Sequence, residues 1–154
     1  MAGVEFRPAS PESADARRLL ADYLDDLAAR FDGWDRAGYV DAAPEKLVPP
    51  AGVLLLGYLD GEAAACGAVQ VIEPGVAEVK RMFVAPAARG RGLGRALLDA
   101  LEQAAAGLGC DVARLDSAET LTEAIGLYRS AGYTEIDDYN RNPNASTWME
   151  RRLR

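Results

Sequence analysis

Three glycines occupy every second position of a basic stretch just beyond the middle of the chain. Gly90, Gly92 and Gly94 are flanked by arginines, and a helix-like sequence follows them. Glycine has no Cβ, so its backbone can approach a ligand closely. The first N–H groups of a helix lack internal partners and lie at the positive end of the helix dipole. This stretch therefore predicts a site for an anion, most naturally a phosphate.

Two common phosphate-binding loops do not fit this stretch. A P-loop requires G-x-x-x-x-G-K-[ST], and the sequence contains no such string. A dinucleotide-binding loop requires G-x-G-x-x-G, and no register of the three glycines reproduces that spacing. The strand that precedes the loop also follows antiparallel strands, whereas a dinucleotide fold places this loop in its first βαβ unit.

The composition limits the chemistry that is available. The chain has 154 residues, which fits one domain over 1–154, and 49% of them are hydrophobic, which is enough for a core. It has no histidine, which excludes Ser-His-Asp and Cys-His catalysis and argues against a metal site. Cys66 and Cys110 lie far apart in apolar contexts, and we expect both to be buried free thiols.

The charge and hydropathy patterns restrict the partners. The net charge of −7 argues against nucleic acid or an anionic membrane as a partner and weakly favours a cationic one. No apolar run approaches the ~20 residues of a membrane span, and the first residues do not read as a signal peptide. We therefore expect a cytoplasmic protein.

The periodicity of apolar residues predicts the elements that must position the glycine loop. Helical spacing indicates helices over about 11–31, 93–108 and 121–130, the first capped by Ser10. Seven strands are expected, at Val4–Arg7, Val53–Leu59, Ala63–Ile72, Val76–Val84, Val112–Asp116, Tyr133–Ile136 and Trp148–Arg151. The Asp60-Gly61 pair indicates a hairpin. The prediction is an α+β fold of three layers, in which a mixed, mostly antiparallel sheet has helices on both faces.

Two loops have compositions that suit a substrate pocket. Residues 34–50 include Trp34, Arg36 and Tyr39, and residues 137–147 include the polar run from Tyr139 to Asn144. Each loop could line a pocket for the substrate or could simply connect elements over the core. Both readings stay open at this point.

Two motifs resemble the GNAT superfamily of N-acetyltransferases. The run Arg89-Gly90-Arg91-Gly92-Leu93-Gly94 resembles the family's Arg/Gln-x-x-Gly-x-Gly/Ala signature, which binds the pyrophosphate of acetyl-coenzyme A (acetyl-CoA). The segment from Ala124 to Tyr133 resembles the family's Ala-x-x-Leu-Tyr-x-x-x-Gly-Phe/Tyr segment. The resemblance spans about residues 53–148 and implies a GNAT-type acyl-CoA N-acyltransferase fold with acetyl-CoA as cosubstrate and no metal.

The resemblance also implies cofactor-binding residues. The preceding strand would pair with the pantetheine arm and would separate from its neighbour to admit the thioester. Either Arg91 or Arg95 would reach a phosphate with its side chain. The implied backbone contacts to the cofactor are those of Met82, Phe83, Val84, Arg89, Gly90, Arg91, Gly92, Leu93, Gly94 and Arg95.

The same resemblance implies catalytic residues. Tyr128 occupies the position of the family's proton donor to the coenzyme A thiolate. The attacking amine must lose a proton, and Glu78 or Asp116 could accept it, directly or through water. Leu121 departs from the family, because many relatives carry an asparagine there that contacts the cofactor. Either Thr120 or Thr122 replaces this contact, or the contact is absent.

The resemblance implies an N-acetyltransferase that works by direct attack in a ternary complex. The acceptor would be a small amine or an amino group of a peptide or protein, and a homodimer is compatible with the family. Two alternatives from other classes stay open. One is a sensor that binds acyl-CoA without turnover, and the other is an interaction domain with a degenerate site.

Overall fold

The computed structural model describes residues 3–30 and 43–153. Short 3₁₀ turns lie at Pro44–Leu47 and Pro86–Ala88. The longer elements are β1 Val4–Pro8, α1 Ala14–Arg30, β2 Gly52–Leu59, β3 Glu62–Glu73, β4 Val76–Val84, α2 Leu93–Gly107, β5 Val112–Ser117, α3 Thr122–Ser130, β6 Thr134–Ile136 and β7 Thr147–Arg152. All seven strands and all three helices expected from the sequence are present.

The strands form one mixed sheet in the order β1-β2-β3-β4-β5-β7-β6. Among the described strands, β4 and β5 make the parallel pair, and α2 crosses between them, while the other neighbours are antiparallel. Asp60 and Gly61 both have positive φ, 52° and 87°, as the predicted two-residue hairpin turn requires.

The helices cover both faces of the sheet, as predicted. On one face, Ala16 and Leu19 of α1 pack against a cluster that includes Leu54 and Leu56 of β2. On the other face, α2 and α3 pack against a second cluster, in which Leu97, Leu98 and Leu101 are fully buried. Burial of these leucines fixes α2, and with it the glycine loop that precedes α2, against the sheet.

A β-bulge interrupts β4 at Arg81. Lys80 lies opposite Ala68, and Phe83 lies opposite Cys66, so the interval on β4 is one residue longer than the interval on β3. Arg81 has a φ of 57°, which is uncommon for a residue with a Cβ. The buried Cys66 thiol lies 3.6 Å from the carbonyl oxygen of Arg81.

The bulge changes which side chains of β4 face each helix layer. Phe83 packs with the α1 cluster, whereas Met82 and Val84 pack against the cluster of α2 and α3. Strand alternation without the extra residue would have reversed these positions. Met82 therefore faces α3.

The pairing of β4 with β5 ends early. The parallel register runs from Val76↔Val112 to Glu78↔Arg114 and goes no further, although the structure describes both strands to their ends at Val84 and Ser117. The strands thus separate beyond Glu78, as the family resemblance implied, and leave a gap in the middle of the sheet.

The structure corrects the predicted start of the first helix. α1 begins at Ala14, and the Ser13 hydroxyl accepts the N–H of Ala16 at 3.3 Å. Ser10 instead accepts the N–H of Glu12 at 3.2 Å, inside a preceding turn. The prediction of Ser10 as the cap was wrong, because serines at both positions can accept a local N–H and only the second one opens a continuous helix.

The two cysteines, the aromatic loop and the absence of a membrane span were also predicted from the sequence. Cys66 and Cys110 are free and buried, as expected. Trp34, Arg36 and Tyr39 lie outside the described residues. Among the helices that the structure describes, none has both the length and the apolar character that crossing a membrane demands.

Gly52 gives the first test of this packing. A Cβ at Gly52 would lie 2.2 Å from the carbonyl oxygen of Lys46 and 2.5 Å from that of Val69. We expect Gly52→Ala to lower the free energy of unfolding by about 1–3 kcal/mol through overpacking. In the matched control Gly126→Ala, the methyl group meets nothing within 4 Å, and helix propensity should add up to ~1 kcal/mol. Urea denaturation measures both, and equal effects would contradict this packing.

Candidate active site

The gap between β4 and β5 opens into a cleft of about 1020 Å³. Its walls come from β4, β5, the glycine loop, α3, the second half of α1 and the polar segment 139–144. Arg91 is the sequence candidate that is missing from the described lining. The candidates that line the cleft are Glu78, Met82, Phe83, Val84, Arg89, Gly90, Gly92, Leu93, Gly94, Arg95, Asp116 and Tyr128.

The glycine loop presents unpaired N–H groups to this cleft. Gly90 and Gly92 have φ values of 80° and 77°, and Gly92 directly precedes α2 as its N-terminal cap. The backbone hydrogen bonds of the described residues include none donated by residues 90–95. These donors lie at the positive end of α2, so the loop is suited to hold an anion.

The arginines beside the loop differ in what they contact. Arg89 donates from Nε to the Val84 carbonyl oxygen at 2.9 Å, and its Nη2 lies 3.3 Å from Oδ1 of Asp26. Its guanidinium thus fastens the loop to β4 and α1. Arg95 lines the cleft and pairs with Asp99 at 3.3 Å on the exposed side of α2. The sequence left open whether Arg91 or Arg95 would reach a phosphate. Of these two, Arg95 lines the cleft.

Tyr128 lies on α3 at the edge of the gap. Its hydroxyl is 3.8 Å from Sδ of Met82, and its ring packs edge-on against Tyr133 at 6.1 Å between centroids. Burial, with a smaller contribution from the charge of Asp116, raises the pKa of Tyr128 to about 12. The phenol is therefore protonated at neutral pH and can donate a hydrogen bond into the gap.

A buried network supports Tyr128 from behind. The Tyr133 hydroxyl donates to Oε2 of Glu102 at 2.8 Å, and Nη1 of Arg151 donates to Oε1 at 2.7 Å. Burial raises the pKa of Tyr133, and the charge of Glu102 raises it further. The sequence analysis missed this network, although an acidic residue on the buried side of α2 was a signal that could have indicated it.

The two candidate carboxylates lie on the face of the sheet opposite Tyr128. Oε2 of Glu78 accepts hydrogen bonds from the Tyr139 hydroxyl at 2.8 Å and from Nδ2 of Asn140 at 3.1 Å. Asp116 accepts from Nδ2 of Asn140 at Oδ2 and from Nδ2 of Asn142 at Oδ1, the latter at 3.1 Å. The polar segment therefore reaches both carboxylates.

The surroundings of the two carboxylates are not the same. Burial raises the pKa of Asp116, hydrogen bonds from Asn140 and Asn142 oppose that rise, and the charge of Glu78 adds to it. Nζ of Lys80 lies 3.6 Å from Oε1 of Glu78. Glu78 thus has a cation beside it, whereas Asp116 is bonded to neutral amides.

The position that departs from the family is occupied by an apolar side chain. Leu121 lines the cleft, while Thr120 and Thr122 are exposed and are not among its described lining residues. No three His, Cys, Asp or Glu side chains within residues 3–30 and 43–153 are placed to hold a metal ion.

Comparison with known proteins places this geometry among acetyltransferases. The Acetyltransferase (GNAT) family matches residues 16–133. An uncharacterized N-acetyltransferase of Schizosaccharomyces pombe is 31% identical over 131 residues, which cover 84% of this chain and 80% of the relative.

Solved structures share the fold. A Klebsiella pneumoniae protein assigned as an acyl-CoA N-acyltransferase aligns with a TM-score of 0.78 and 30% identity, covering 99% of each chain. The Salmonella typhimurium protein yncA, solved with its cofactor acetyl-CoA, aligns with a TM-score of 0.76 and 20% identity, covering 99% of this chain and 95% of its own.

The ionisation of Tyr128 tests this description of the cleft. The difference in ultraviolet titration between the protein and Tyr128→Phe should show a phenol with a pKa of about 12, against ~10 for an exposed tyrosine. The unfolded phenol loses its proton first, so the stability linked to Tyr128 is present below pH ~10 and is lost as pH rises from ~10 towards ~12. Circular dichroism controls for unfolding. A midpoint near 10 in the folded protein would mean that Tyr128 is not buried as described.

Proposed function

Because the chain belongs to the GNAT family of acetyltransferases, we propose that it transfers the acetyl group of acetyl-CoA to an amine by direct attack in a ternary complex. One observation carries the proposal. The anion-binding loop, a protonated phenol and two carboxylates meet at a single gap between β4 and β5. This gap admits two substrates from opposite faces of the sheet.

The cofactor would lie along the glycine loop and β4. The N–H groups of residues 90–95 would hold its pyrophosphate, with Arg95 as the side chain closest to that role. The backbone of Met82, Phe83 and Val84 would pair with the pantetheine arm, because β4 has left β5 at that point. A protein with the same fold was solved with acetyl-CoA, which supports acetyl-CoA as the cofactor.

Tyr128 would act on the sulfur of the thioester. Its hydroxyl already contacts a sulfur atom, Sδ of Met82, at the gap. A phenol with a pKa of about 12 is a weaker acid than a thiol, whose pKa is ~8.5 if it resembles cysteine. Tyr128 therefore serves best as a hydrogen-bond donor that stabilises charge developing on the sulfur.

Asp116 is the carboxylate that we propose as the base. An alkyl amine has a pKa of ~10.4 and must lose a proton before it attacks. Burial raises the pKa of Asp116, which makes it a stronger base than an exposed carboxylate. Glu78 is held by Lys80 and Tyr139 and would attract the ammonium form of the acceptor.

The acceptor would be a small amine or an amino group of a peptide or protein. The polar segment 139–144 would line its pocket, because the segment contacts both carboxylates. A single catalytic domain over 1–154, a cytoplasmic location and a homodimer stay predictions.

The glycine loop provides a test of cofactor binding. Alanine at position 92 would have to adopt a φ of 77°, which costs about 1–2 kcal/mol. The free loop can avoid this cost by leaving the conformation, and the cofactor must then restore it. We expect Gly92→Ala to weaken acetyl-CoA binding by about 5–30-fold, measured by calorimetry. The control Gly107→Ala lies at the other end of α2, where a Cβ meets nothing within 4 Å, and should bind normally. Equal affinities for the two variants would argue against this placement of the cofactor.

Release of free thiol from acetyl-CoA tests the activity across amines, polyamines, antibiotics and peptides. With an amine that is turned over, we expect Tyr128→Phe to lower kcat by about 10²–10³-fold without weakening acetyl-CoA binding. Asp116→Asn should lower kcat/KM by a similar factor, and Glu78→Gln should mainly raise the KM for the amine.

A thermal shift separates the possible failures. Acetyl-CoA at 100 times its Kd should stabilise the protein by about 2.7 kcal/mol. Stabilisation without thiol release from any amine would indicate an acyl-CoA-binding module instead of an enzyme. No stabilisation at millimolar acetyl-CoA would refute the proposed function altogether.

A further inference from the structure

Asn140 connects the two carboxylates of the cleft. Its Nδ2 donates to Oε2 of Glu78 and to Oδ2 of Asp116, and its Oδ1 accepts the indole N–H of Trp148 at 2.9 Å. An indole N–H can only donate, and ionised carboxylates can only accept. The same Oδ1 also accepts the backbone N–H of Asn142 at 3.1 Å. One orientation of the Asn140 amide satisfies all four partners, and the opposite orientation satisfies none of them.

The position of Trp148 follows from the register of the sheet. Asp116 on β5 and Trp148 on β7 lie directly opposite each other, so their side chains leave the same face. Ile136 of β6 pairs with Trp148 on its other side. The backbone of Trp148 is thus held between two neighbouring strands. Asn140 instead belongs to a loop that has no sheet pairing of its own among the described strands.

We propose that Trp148 and Asn140 are positioning residues, in which the indole N–H fixes the Asn140 amide and the amide holds Asp116 and Glu78 together at the gap. The proposal rests on the proposed function, in which Asp116 is the base. Neither residue needs to touch a substrate. Both act through the two carboxylates.

Several charged or titratable groups surround Asp116, and each affects how readily it ionises. Burial and the charge of Glu78 favour its protonated form, while Lys80 and the amide hydrogen bonds favour the carboxylate. Arg114, two residues earlier on β5, is paired with Glu73 and Glu150 at 3.6 and 3.0 Å. The groups around Asp116 are Glu78 and Lys80 from β4, Tyr128 from α3, Arg114 from β5, Glu150 from β7, and Tyr139 and Arg141 from the loop.

Loss of the Asn140 amide should therefore make Asp116 harder to ionise. The carboxylate would lose one donor and would face Glu78 without the amide between them. Loss of the Trp148 N–H alone should act in the same direction and more weakly. The backbone N–H of Asn142 still holds the amide, which can then turn away from the carboxylates for part of the time.

Carbon-13 NMR of labelled aspartate measures the pKa of Asp116 in the free protein, without any turnover. We expect Asn140→Ala to raise this pKa by about one unit. Trp148→Phe keeps an aromatic ring in the sheet and should raise the pKa by a smaller amount. The double variant should match Asn140→Ala alone, because Trp148 acts through Asn140.

Asn142→Ala is the matched comparison. Asn142 also donates to Asp116 from its side chain, and no described contact joins that side chain to Trp148. Its backbone N–H, which alanine keeps, still donates to Oδ1 of Asn140. Its effect on the pKa should therefore add to that of Trp148→Phe. An unchanged pKa of Asp116 in Asn140→Ala would overturn the proposal, and so would full additivity of Asn140→Ala with Trp148→Phe.

Kinetics distinguishes this proposal from the proposed function. Above its pKa Asp116 can accept a proton, so the acidic limb of kcat/KM should move to higher pH by the shift that NMR measures. A purely structural role would lower the rate at every pH and leave the limb in place. If NMR shows the shift and no amine is acetylated, the positioning role of Trp148 and Asn140 is supported and the proposed function fails. If amines are acetylated and the pKa of Asp116 does not move, the positioning role of Trp148 and Asn140 is refuted and the proposed function is not.

Discussion

The early separation of β4 from β5 is the constraint on which this site depends. Three residue pairs anchor the parallel ladder, and β4 then runs on to Val84 beside a partner from which it has separated. The bulge at Arg81 falls within this separated stretch and directs Met82 towards α3. The sheet therefore has a gap in its centre, which groups from both faces line. Tyr128 lines it from the face covered by α2 and α3, and Asp116 and Glu78 line it from the face that the polar segment covers.

Each wall of the gap is supported by a contact that spans the chain. Tyr133, Glu102 and Arg151 join the segment after α3 to α2 and β7 behind Tyr128. Trp148 joins β7 to the polar loop in front of Asp116. Hydrophobic burial of α2 fixes the position of the glycine loop relative to the sheet. The glycine loop thus depends on core packing, whereas the polar segment at the carboxylates depends on polar contacts with half-exposed residues. Those contacts are easier to change without unfolding the protein.

The sequence predicted the parts of this structure that depend on local patterns. Apolar periodicity was enough for the strands and helices, and the spacing of Gly90, Gly92 and Gly94 was enough for the loop. The role of the Arg89 side chain, the amide of Asn140 and the placement of Trp148 opposite Asp116 could not be predicted. They depend on strand register and on contacts between residues that are far apart in the chain, which a single sequence does not encode in any local pattern. The predicted start of α1 was wrong for a different reason, because two nearby serines can each act as a cap.

The ion pair between Arg89 and Asp26 has a consequence for how this chain can be divided. The glycine signature begins at Arg89, and the gap lies between β4 and β5, so residues 52–153 include both motifs and both strands of the gap. Yet Arg89 contacts both α1 and β4, through Asp26 and the Val84 carbonyl oxygen. Phe83 also packs against Tyr23 of α1 at 6.1 Å between ring centroids. The smallest fragment that retains the loop in this shape must therefore include the first helix, although no residue of that helix belongs to either motif.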